Sequence, residues 1–315
     1  MNILWIGNHE EGVEAFEETV RTNGVCGFIT LDDSAYAKRS AGTRAYYQIC
    51  QEHGIPYHMV DTIKGERAYE LVAQYQPDLM VVLGWSEILP QRILEIPTIG
   101  TVGTHAALLP HNRGSAPINW ALIHGEAVTG NTMMWLNKDV DTGDIVDQVE
   151  FPITVFDTCK TLYDQVAHSN ATMLARLIAA LKEGKRPVLP IANDTDEPIL
   201  PRRRPKDGLM NWDQPARKIY DFVRALTVPY PGAFTFLNGK KWLIWEAAYL
   251  PVSAGGAQPG TILGTSYGFG ENAVGLVVAA QDTCLLITRL EDENAESYTG
   301  DALYRLGLEG VFSNE

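Results

Sequence analysis

The residues best suited to chemistry lie in two segments, a histidine-containing stretch at 100–114 and an Asp-Thr-Gly-Asp turn at 141–144. His105 precedes the Leu-Leu-Pro and Arg-Gly pairs of the first segment, and Asp141 follows it by 36 positions. A histidine changes charge near neutral pH, so it can move a proton and donate a hydrogen bond to a developing oxyanion. A nearby carboxylate favours its charged form. Asp141 is our candidate for that carboxylate.

The scaffold for these residues is predicted by apolar runs that alternate with amphipathic helical segments. The runs cover residues 3–6, 27–30, 55–60 and 79–83. Strands that are apolar throughout and separated by helices indicate a parallel sheet covered on both faces. Ligands of such sheets bind beyond the carboxyl ends of the strands. We therefore expect Asn8-His9, Gly84-Trp85 and the His105 loop to emerge at the same edge.

The second half of the chain changes character at residues 190–207, which contain Pro, Asp and Arg without a periodic apolar face and so predict a linker. Beyond it, Asn238-Gly239 joins two strand-like runs, as a tight hairpin turn requires. Further short strands favour a small OB-like β-barrel. The predicted fold is α/β: a Rossmann-like parallel sheet with helices on both faces at 1–189, then the linker, then a C-terminal OB-like barrel domain at 208–315.

Composition limits the partners. A length of 315 residues predicts two domains, and 25 Lys and Arg against 39 Asp and Glu give a formal charge of −14. Such a charge disfavours the binding of nucleic acid unless a local basic patch overrides it. The compact basic patch of this chain is Arg202-Arg-Arg-Pro-Lys206. The four scattered cysteines indicate neither a disulfide framework nor a metal site. No apolar run approaches the ~20 residues that cross a bilayer, so we expect a cytoplasmic protein without a membrane partner.

The two chemical segments resemble the active-site signature of the formyltransferases that use N10-formyltetrahydrofolate. In that family an Asn-x-His, a Leu-Leu-Pro-x-x-Arg-Gly loop and an Asp-x-Gly turn converge around the folate formyl group. The likeness continues through Arg203–Trp212 and Arg224–Phe234, which resemble the linker and second-domain opening of two-domain members. The resemblance implies a formyltransferase enzyme with N10-formyltetrahydrofolate as cosubstrate and no metal.

The resemblance further implies that His105 and Asp141 are catalytic and that Gly103 occupies the position of the family's Asn. Because residues 103 and 105 of a strand point to one side and 104 to the other, Thr104 cannot replace the missing amide. Losing one oxyanion donor typically costs about 10²–10³ in turnover. A water beside Gly103, the charged His105 alone, or Asn112 could compensate. We expect His105 with a water to suffice.

Binding residues also follow from the resemblance. The segment 83–90 resembles the loop whose backbone reads the pterin ring, with a second group of residues opposite it at 138–141. The predicted folate-binding residues are Ser86, Glu87, Leu89, Lys138, Val140 and Asp141. Asn8 and His9, after the first strand, are predicted to touch the acceptor. Arg113 could bond backbone carbonyls or an acidic group of a ligand.

The acceptor is predicted from charge. Two-domain members act on methionyl-tRNA or on nucleotide-linked amino sugars, and the tRNA enzymes carry a basic insertion after the second strand. Here residues 32–44 contain two acidic and three basic residues, and the whole chain has a formal charge of −14. We therefore expect a nucleotide-linked amino sugar for surface polysaccharide, as in the sugar N-formyltransferases and the lipid A aminoarabinose-pathway formyltransferases.

Two alternatives to the amino-sugar enzyme stay open. One is a methionyl-tRNA formyltransferase. The other, suggested by Gly103, is a catalytically impaired folate-binding protein or a hydrolase of 10-formyltetrahydrofolate. A homodimer is also left open, because an exposed face of the barrel could pair with a second copy.

Overall fold

The computed structural model describes residues 1–36, 42–189, 197–267 and 273–314. The chain divides into two compact units. The first comprises Met1–Pro117, Val128–Ile153 and Thr161–Pro201, and the second comprises Ile118–Ala127, Thr154–Lys160 and Arg202–Glu315. The domain limits given above stay a prediction. Part of the predicted linker, residues 190–196, and the Lys38-Arg39 pair of the 32–44 segment lie outside the described residues.

The first unit contains a seven-stranded sheet in the order β3-β2-β1-β4-β5-β6-β7. Its strands are β1 (Ile3–Ile6), β2 (Gly27–Leu31), β3 (Tyr57–Val60), β4 (Leu79–Val82), β5 (Gly100–His105), β6 (Val128–Trp135) and β7 (Ile145–Pro152). The first five strands are parallel, whereas β6 and β7 are antiparallel to their neighbours. Nine residues join β6 to β7, which suffices for antiparallel neighbours, whereas parallel neighbours need a crossover of about a dozen residues or more. The α/β fold is confirmed, with a mixed sheet.

Helices cover both faces of this sheet. The α-helices that precede residue 202 are α1 (Val13–Asn23), α2 (Asp33–Tyr36), α3 (Ala45–His53), α4 (Glu66–Tyr75), α5 (Gln91–Leu94), α6 (Pro117–His124) and α7 (Cys159–Lys182). In β1, Ile3 and Trp5 pack into a core with side chains of α1, α3 and α7. The alternate residues Leu4 and Ile6 pack with α4 and α5. All four are buried, which explains why β1 is apolar without alternation.

The strand order reverses between β1 and β4, and the turns that follow these two strands meet there. The backbone N–H groups of Asn8 and His9 both donate to the carbonyl of Gly84, at 3.0 Å each. Gly84 has φ +62°, and a Cβ on it would stand 2.9 Å from the carbonyl oxygen of His9. Only glycine fits so close an approach. This reversal is where open α/β sheets bind their ligands.

The second unit contains an antiparallel sheet that its own C-terminal tail closes. Its elements are α8 (Ala216–Leu226), β8 (Ala233–Leu237), β9 (Lys240–Leu250), β10 (Ile262–Tyr267), β11 (Ala273–Ala279), β12 (Cys284–Glu291), β13 (Ser297–Thr299) and α9 (Asp301–Arg305). The sheet order is β10-β11-β12-β9-β8, so β10 and β8 are its edges. Val311 pairs with Thr261 beside β10, and Ser313 pairs with Phe236 of β8. The tail thus bridges both edges, which confirms the small barrel-like domain.

Candidate active site

His105 ends β5 and faces an acceptor on each side of its ring. Its Nδ1 lies 3.6 Å from Oδ1 of Asp141, and its Nε2 lies 2.8 Å from the carbonyl oxygen of Asn112. The His105 residue is 8% exposed. The carbonyl oxygen can only accept, so Nε2 is the nitrogen that donates to it. The structure therefore brings together the two predicted catalytic residues.

Asp141 is fixed by the loop that follows His105. Its backbone has φ +53°, and its second carboxylate oxygen, Oδ2, accepts a hydrogen bond of 2.9 Å from the backbone N–H of Gly114. One oxygen thus faces His105 while the other is held by the Arg113-Gly114 part of the loop. A carboxylate fixed in this way can hold the imidazole in one orientation.

The loop between His105 and Gly114 is supported by two side chains from β6 and β7. The Thr132 hydroxyl donates to the carbonyl of Ala107 at 2.6 Å and accepts from the N–H of Leu109 at 3.1 Å. The Gln148 amide donates to the carbonyl of Leu109 at 2.7 Å and to the Thr132 hydroxyl at 2.9 Å. Sequence reasoning missed both residues, because their role depends on β6 lying beside β5, with Thr132 opposite His105.

Gly103 lies in β5 between Val82 of β4 and Met134 of β6. A Cβ on Gly103 would stand 3.0 Å from both methyl groups of Leu136 and 3.1 Å from the carbonyl oxygen of Val82. The Leu136 side chain therefore fills the space proposed above for a water. His105, another of the groups considered as a replacement for the family's amide, ends this strand.

The predicted pterin-reading segment follows β4 and directs two of its side chains inward. One carboxylate oxygen of Glu87 accepts hydrogen bonds from the Thr62 hydroxyl, at 3.0 Å, and from the N–H of Ile63, at 2.9 Å. Leu89 is 7% exposed and belongs to the core. Because these two side chains are occupied inside the protein, a ligand that contacts Glu87 or Leu89 from solvent meets their backbone, whereas Ser86 and Ile88 expose their side chains. This suits the predicted recognition of a flat ring by main-chain groups.

A further polar group near this segment fits a ligand. The indole N–H of Trp85 is buried and has no hydrogen-bond partner within the described part of the chain. A buried donor left unpaired costs about 1–3 kcal/mol, which a bound acceptor would recover. Ser86 is exposed, as are Lys138 and Val140 on the turn that carries Asp141.

Asn8 is the most informative of the residues predicted to touch the acceptor. Its side chain is buried, with the residue 1% exposed, and neither its Nδ2 nor its Oδ1 has a partner among the residues described. A buried amide without a hydrogen-bond partner indicates that a ligand or a water binds at the turn after β1. The backbone carbonyl of His9 accepts a hydrogen bond of 2.9 Å from the Tyr46 hydroxyl. The Arg113 carbonyl accepts the Leu200 N–H at 2.7 Å.

Metal-binding clusters and membrane-spanning helices are both absent from the described residues. Across residues 1–36, 42–189, 197–267 and 273–314, no three His, Cys, Asp or Glu side chains are grouped so as to hold a metal ion. In the same residues no helix has the length and apolar character needed to cross a membrane. Cys26, Cys50, Cys159 and Cys284 are free thiols.

Comparison with known proteins identifies both halves of the chain. The family described as Formyl transferase matches residues 25–178, and that described as Formyl transferase, C-terminal domain, matches residues 203–305. A methionyl-tRNA formyltransferase of Geobacillus sp. (strain WCH70) is 31% identical over 298 residues, covering 92% of this chain and 90% of the relative. One from Syntrophus aciditrophicus (strain SB) is 35% identical over 265 residues, covering 83% and 84%.

A solved structure supports the fold. The sugar N-formyltransferase from Shewanella sp. FDAARGOS_354 superposes with a TM-score of 0.60, covering 79% of this chain and 98% of that one. Its sequence is 22% identical, so the likeness concerns the fold alone.

The prediction of an amino-sugar acceptor is wrong. Five relatives at 29–35% identity are methionyl-tRNA formyltransferases, and one at 31% is a bifunctional polymyxin resistance protein ArnA. The sugar N-formyltransferases of known structure are 14% and 22% identical, so they are neighbours in fold alone. The prediction rested on the net charge of the whole chain and on the mixed charge of residues 32–44. Residues 202–241 hold nine Lys and Arg against three Asp, so the charge is unevenly distributed. A phosphate backbone responds to the local field.

Proposed function

The chain belongs to the Formyl transferase family, and on that basis we propose that it transfers the formyl group of N10-formyltetrahydrofolate to the amino group of methionyl-tRNA. The observation that carries this proposal is the extent of the identity with methionyl-tRNA formyltransferases. It covers about nine tenths of both chains in one relative, so it includes the second unit as well as the first. We place the activity in the cytoplasm, where aminoacylated tRNA is found.

In the proposed reaction His105 supports the charge that forms on the formyl oxygen. Attack of an amine on the formyl carbon produces an oxyanion, and the attacking nitrogen must lose a proton while the folate nitrogen gains one. His105 can donate to that oxyanion or pass a proton once its Nε2–H exchanges the Asn112 carbonyl for the substrate, with Nδ1 left facing the Asp141 carboxylate. Asp141 holds the ring and stabilises its positive charge.

The proposed cosubstrate site is formed by the backbone after β4 and by the turn that carries Asp141. When bound, N10-formyltetrahydrofolate supplies an activated formyl group. The inward-facing Glu87 and Leu89 and the unpaired Trp85 N–H leave main-chain groups and one buried donor for its pterin ring. The formyl group must then lie near His105 for transfer to occur.

The basic stretch at 202–241 supports an RNA acceptor. Seven of its nine cations are exposed: Arg202, Arg204, Lys206, Arg217, Lys218, Lys240 and Lys241. The other two serve within the second unit. Arg224 is buried against Asp221, with 2.7 Å between Nη2 and Oδ1, and the Arg203 guanidinium lies over the Trp120 ring at 4.9 Å. The exposed cations are suited to phosphate contacts.

The direct test is to incubate the purified protein with N10-formyltetrahydrofolate and methionyl-tRNA and to digest the RNA with nuclease. The mass of the released aminoacyl-adenosine is then measured by mass spectrometry. We expect a gain of one formyl group, with no product from free methionine. His105→Ala should lower the rate by at least about 10²-fold, as loss of acid–base catalysis does. Release of tetrahydrofolate without formylated product would favour a hydrolase, and folate binding without turnover would favour a binding protein. Either result would overturn the proposal.

A further inference from the structure

Residues 197–200, here called the strap, run alongside the loop that holds the catalytic pair. The N–H of Leu200 donates to the carbonyl of Arg113 at 2.7 Å, and the N–H of Ser115 donates back to the carbonyl of Leu200 at 3.1 Å. Gly114 and Leu200 form a parallel β-bridge. The strap is therefore bonded to the loop as a short strand would be.

Gly114 is where the strap lies closest to the loop. Its φ is +112°, and a Cβ on it would stand 2.5 Å from the Leu200 carbonyl oxygen and 2.7 Å from both the Leu200 nitrogen and the Ile199 Cγ2. Real Cβ atoms do not come so close to backbone. The glycine of the Arg-Gly pair is thus required by the strap as well as by its own backbone conformation.

The strap has a second attachment at its other end. The Glu197 carboxylate lies 2.6 Å from Nδ1 of His111, so this side chain joins the start of the strap to the same loop. Both groups are exposed, and exposed ion pairs add little to stability, typically below 1 kcal/mol. The contact can nevertheless restrict where the loop lies.

The opposite side of the same loop carries the catalytic contacts. The Asn112 carbonyl accepts from Nε2 of His105 at 2.8 Å, and the Gly114 N–H donates to Asp141 at 2.9 Å. Loop residues 111–115 are therefore bonded to the strap on one side and to the His105–Asp141 pair on the other. A displacement of the loop by the strap would move both partners of the pair.

We propose that the strap is a positioning element of the enzyme, which fixes the loop so that His105 and Asp141 keep their reacting geometry. The inference rests on the catalytic roles given to this pair under the proposed function. Its magnitude follows from the sensitivity of catalysis to position, because a misplacement of about 1 Å can cost roughly 10²-fold in rate. The strap touches neither reacting atom, so its effect belongs in kcat rather than in cosubstrate affinity.

The first test compares two substitutions of one residue. Leu200→Pro removes the N–H that donates to Arg113, while Leu200→Ala removes the side chain and keeps that donor. We expect Leu200→Pro to lower kcat for formyl transfer by 10- to 100-fold, with KM and the folate dissociation constant within twofold of wild type. Leu200→Ala should stay within twofold in all three. Equal kcat values in the two variants would overturn the proposal.

A second pair of substitutions tests the strap even if the Leu200→Pro variant fails to fold. Glu197→Ala removes the His111 contact, whereas Glu197→Gln keeps an acceptor for it. We expect Glu197→Ala to lower kcat about threefold without changing the melting temperature, and Glu197→Gln to restore it. Unchanged kcat in Glu197→Ala would count against the strap. His105→Ala serves as the reference: if it is fully active, the catalytic assignment fails, and if it is inactive while the strap variants are normal, only the strap inference fails.

Discussion

Gly103 is the residue at which the site departs from the family signature, and Leu136 determines what a reversion can do. An asparagine at 103 would place its Cβ against both Leu136 methyl groups, at 3.0 Å. We predict that Gly103→Asn alone leaves kcat within about threefold of wild type, because its amide cannot settle beside His105. Gly103→Asn with Leu136→Ala should raise kcat by up to roughly 10²-fold, the usual contribution of one oxyanion donor. Steady-state kinetics of formyl transfer measures both.

Leu136→Ala alone is the control for that pair. It enlarges the space without adding a donor, so kcat should not rise. If Gly103→Asn by itself gave the full increase, the Leu136 contact would not be the obstacle, and His105 would be shown to need a neighbouring amide that the leucine does not exclude.

Glu11 follows the turn that carries Asn8, and its ionisation makes the free energy of unfolding depend on pH. Burial, with a smaller contribution from the charge of Glu10, raises the pKa of the Glu11 carboxyl from 4.5 to about 7. The folded protein then keeps a proton that the unfolded chain releases, so stability is full below pH 4.5 and is lost as the pH rises to about 7. At 1.36 kcal/mol for each pH unit the loss is roughly 3 kcal/mol.

Glu11→Gln removes this ionisation. We expect the variant to exceed the wild type in free energy of unfolding by up to about 3 kcal/mol at pH 8 and to match it near pH 4.5, measured by urea denaturation. Glu17→Gln, on the exposed side of α1, is the matched control and should change stability by less than about 0.5 kcal/mol at either pH. A Glu11 variant that gains nothing at pH 8 would contradict the buried charge.

The elements that present the site could be predicted because their signals are local. The apolar runs at 3–6 and 79–83 became β1 and β4, and their turns meet at the Gly84 carbonyl as expected for a parallel sheet. The Asn238-Gly239 hairpin was predicted in the same way and joins β8 to β9. Each of these features depends on periodicity or turn chemistry within a few residues.

The supports of the catalytic loop could not be predicted, because they come from distant segments. Thr132 and Gln148 reach the loop only once β6 and β7 are paired beside β5, and Leu200 reaches it from within the predicted linker. A hydrogen bond between residues 25 to 87 positions apart leaves no mark on the local pattern.

The uneven charge of the chain reconciles its formal charge of −14 with the RNA acceptor proposed above. Nine cations and three acids lie in residues 202–241, so the remaining residues carry the acidic excess. An acidic remainder repels polyanions and favours approach to the basic stretch alone. The same reasoning implies that binding of tRNA, unlike binding of folate, must depend strongly on salt.

The salt dependence can be tested with two double variants of equal charge. Arg202→Ala with Lys206→Ala removes two exposed cations of the basic stretch, and Arg21→Ala with Lys64→Ala removes two exposed cations from the first unit. Each lost phosphate contact lowers the slope of log affinity against log salt by about 0.9. We therefore expect the first double variant to raise KM for methionyl-tRNA at low salt and to reduce the slope by about 1.8, with kcat and folate affinity unchanged. The second should keep the wild-type slope, since long-range charge alone does not release counterions from the RNA. Equal slopes in the two variants would mean that the acceptor does not lie along residues 202–206.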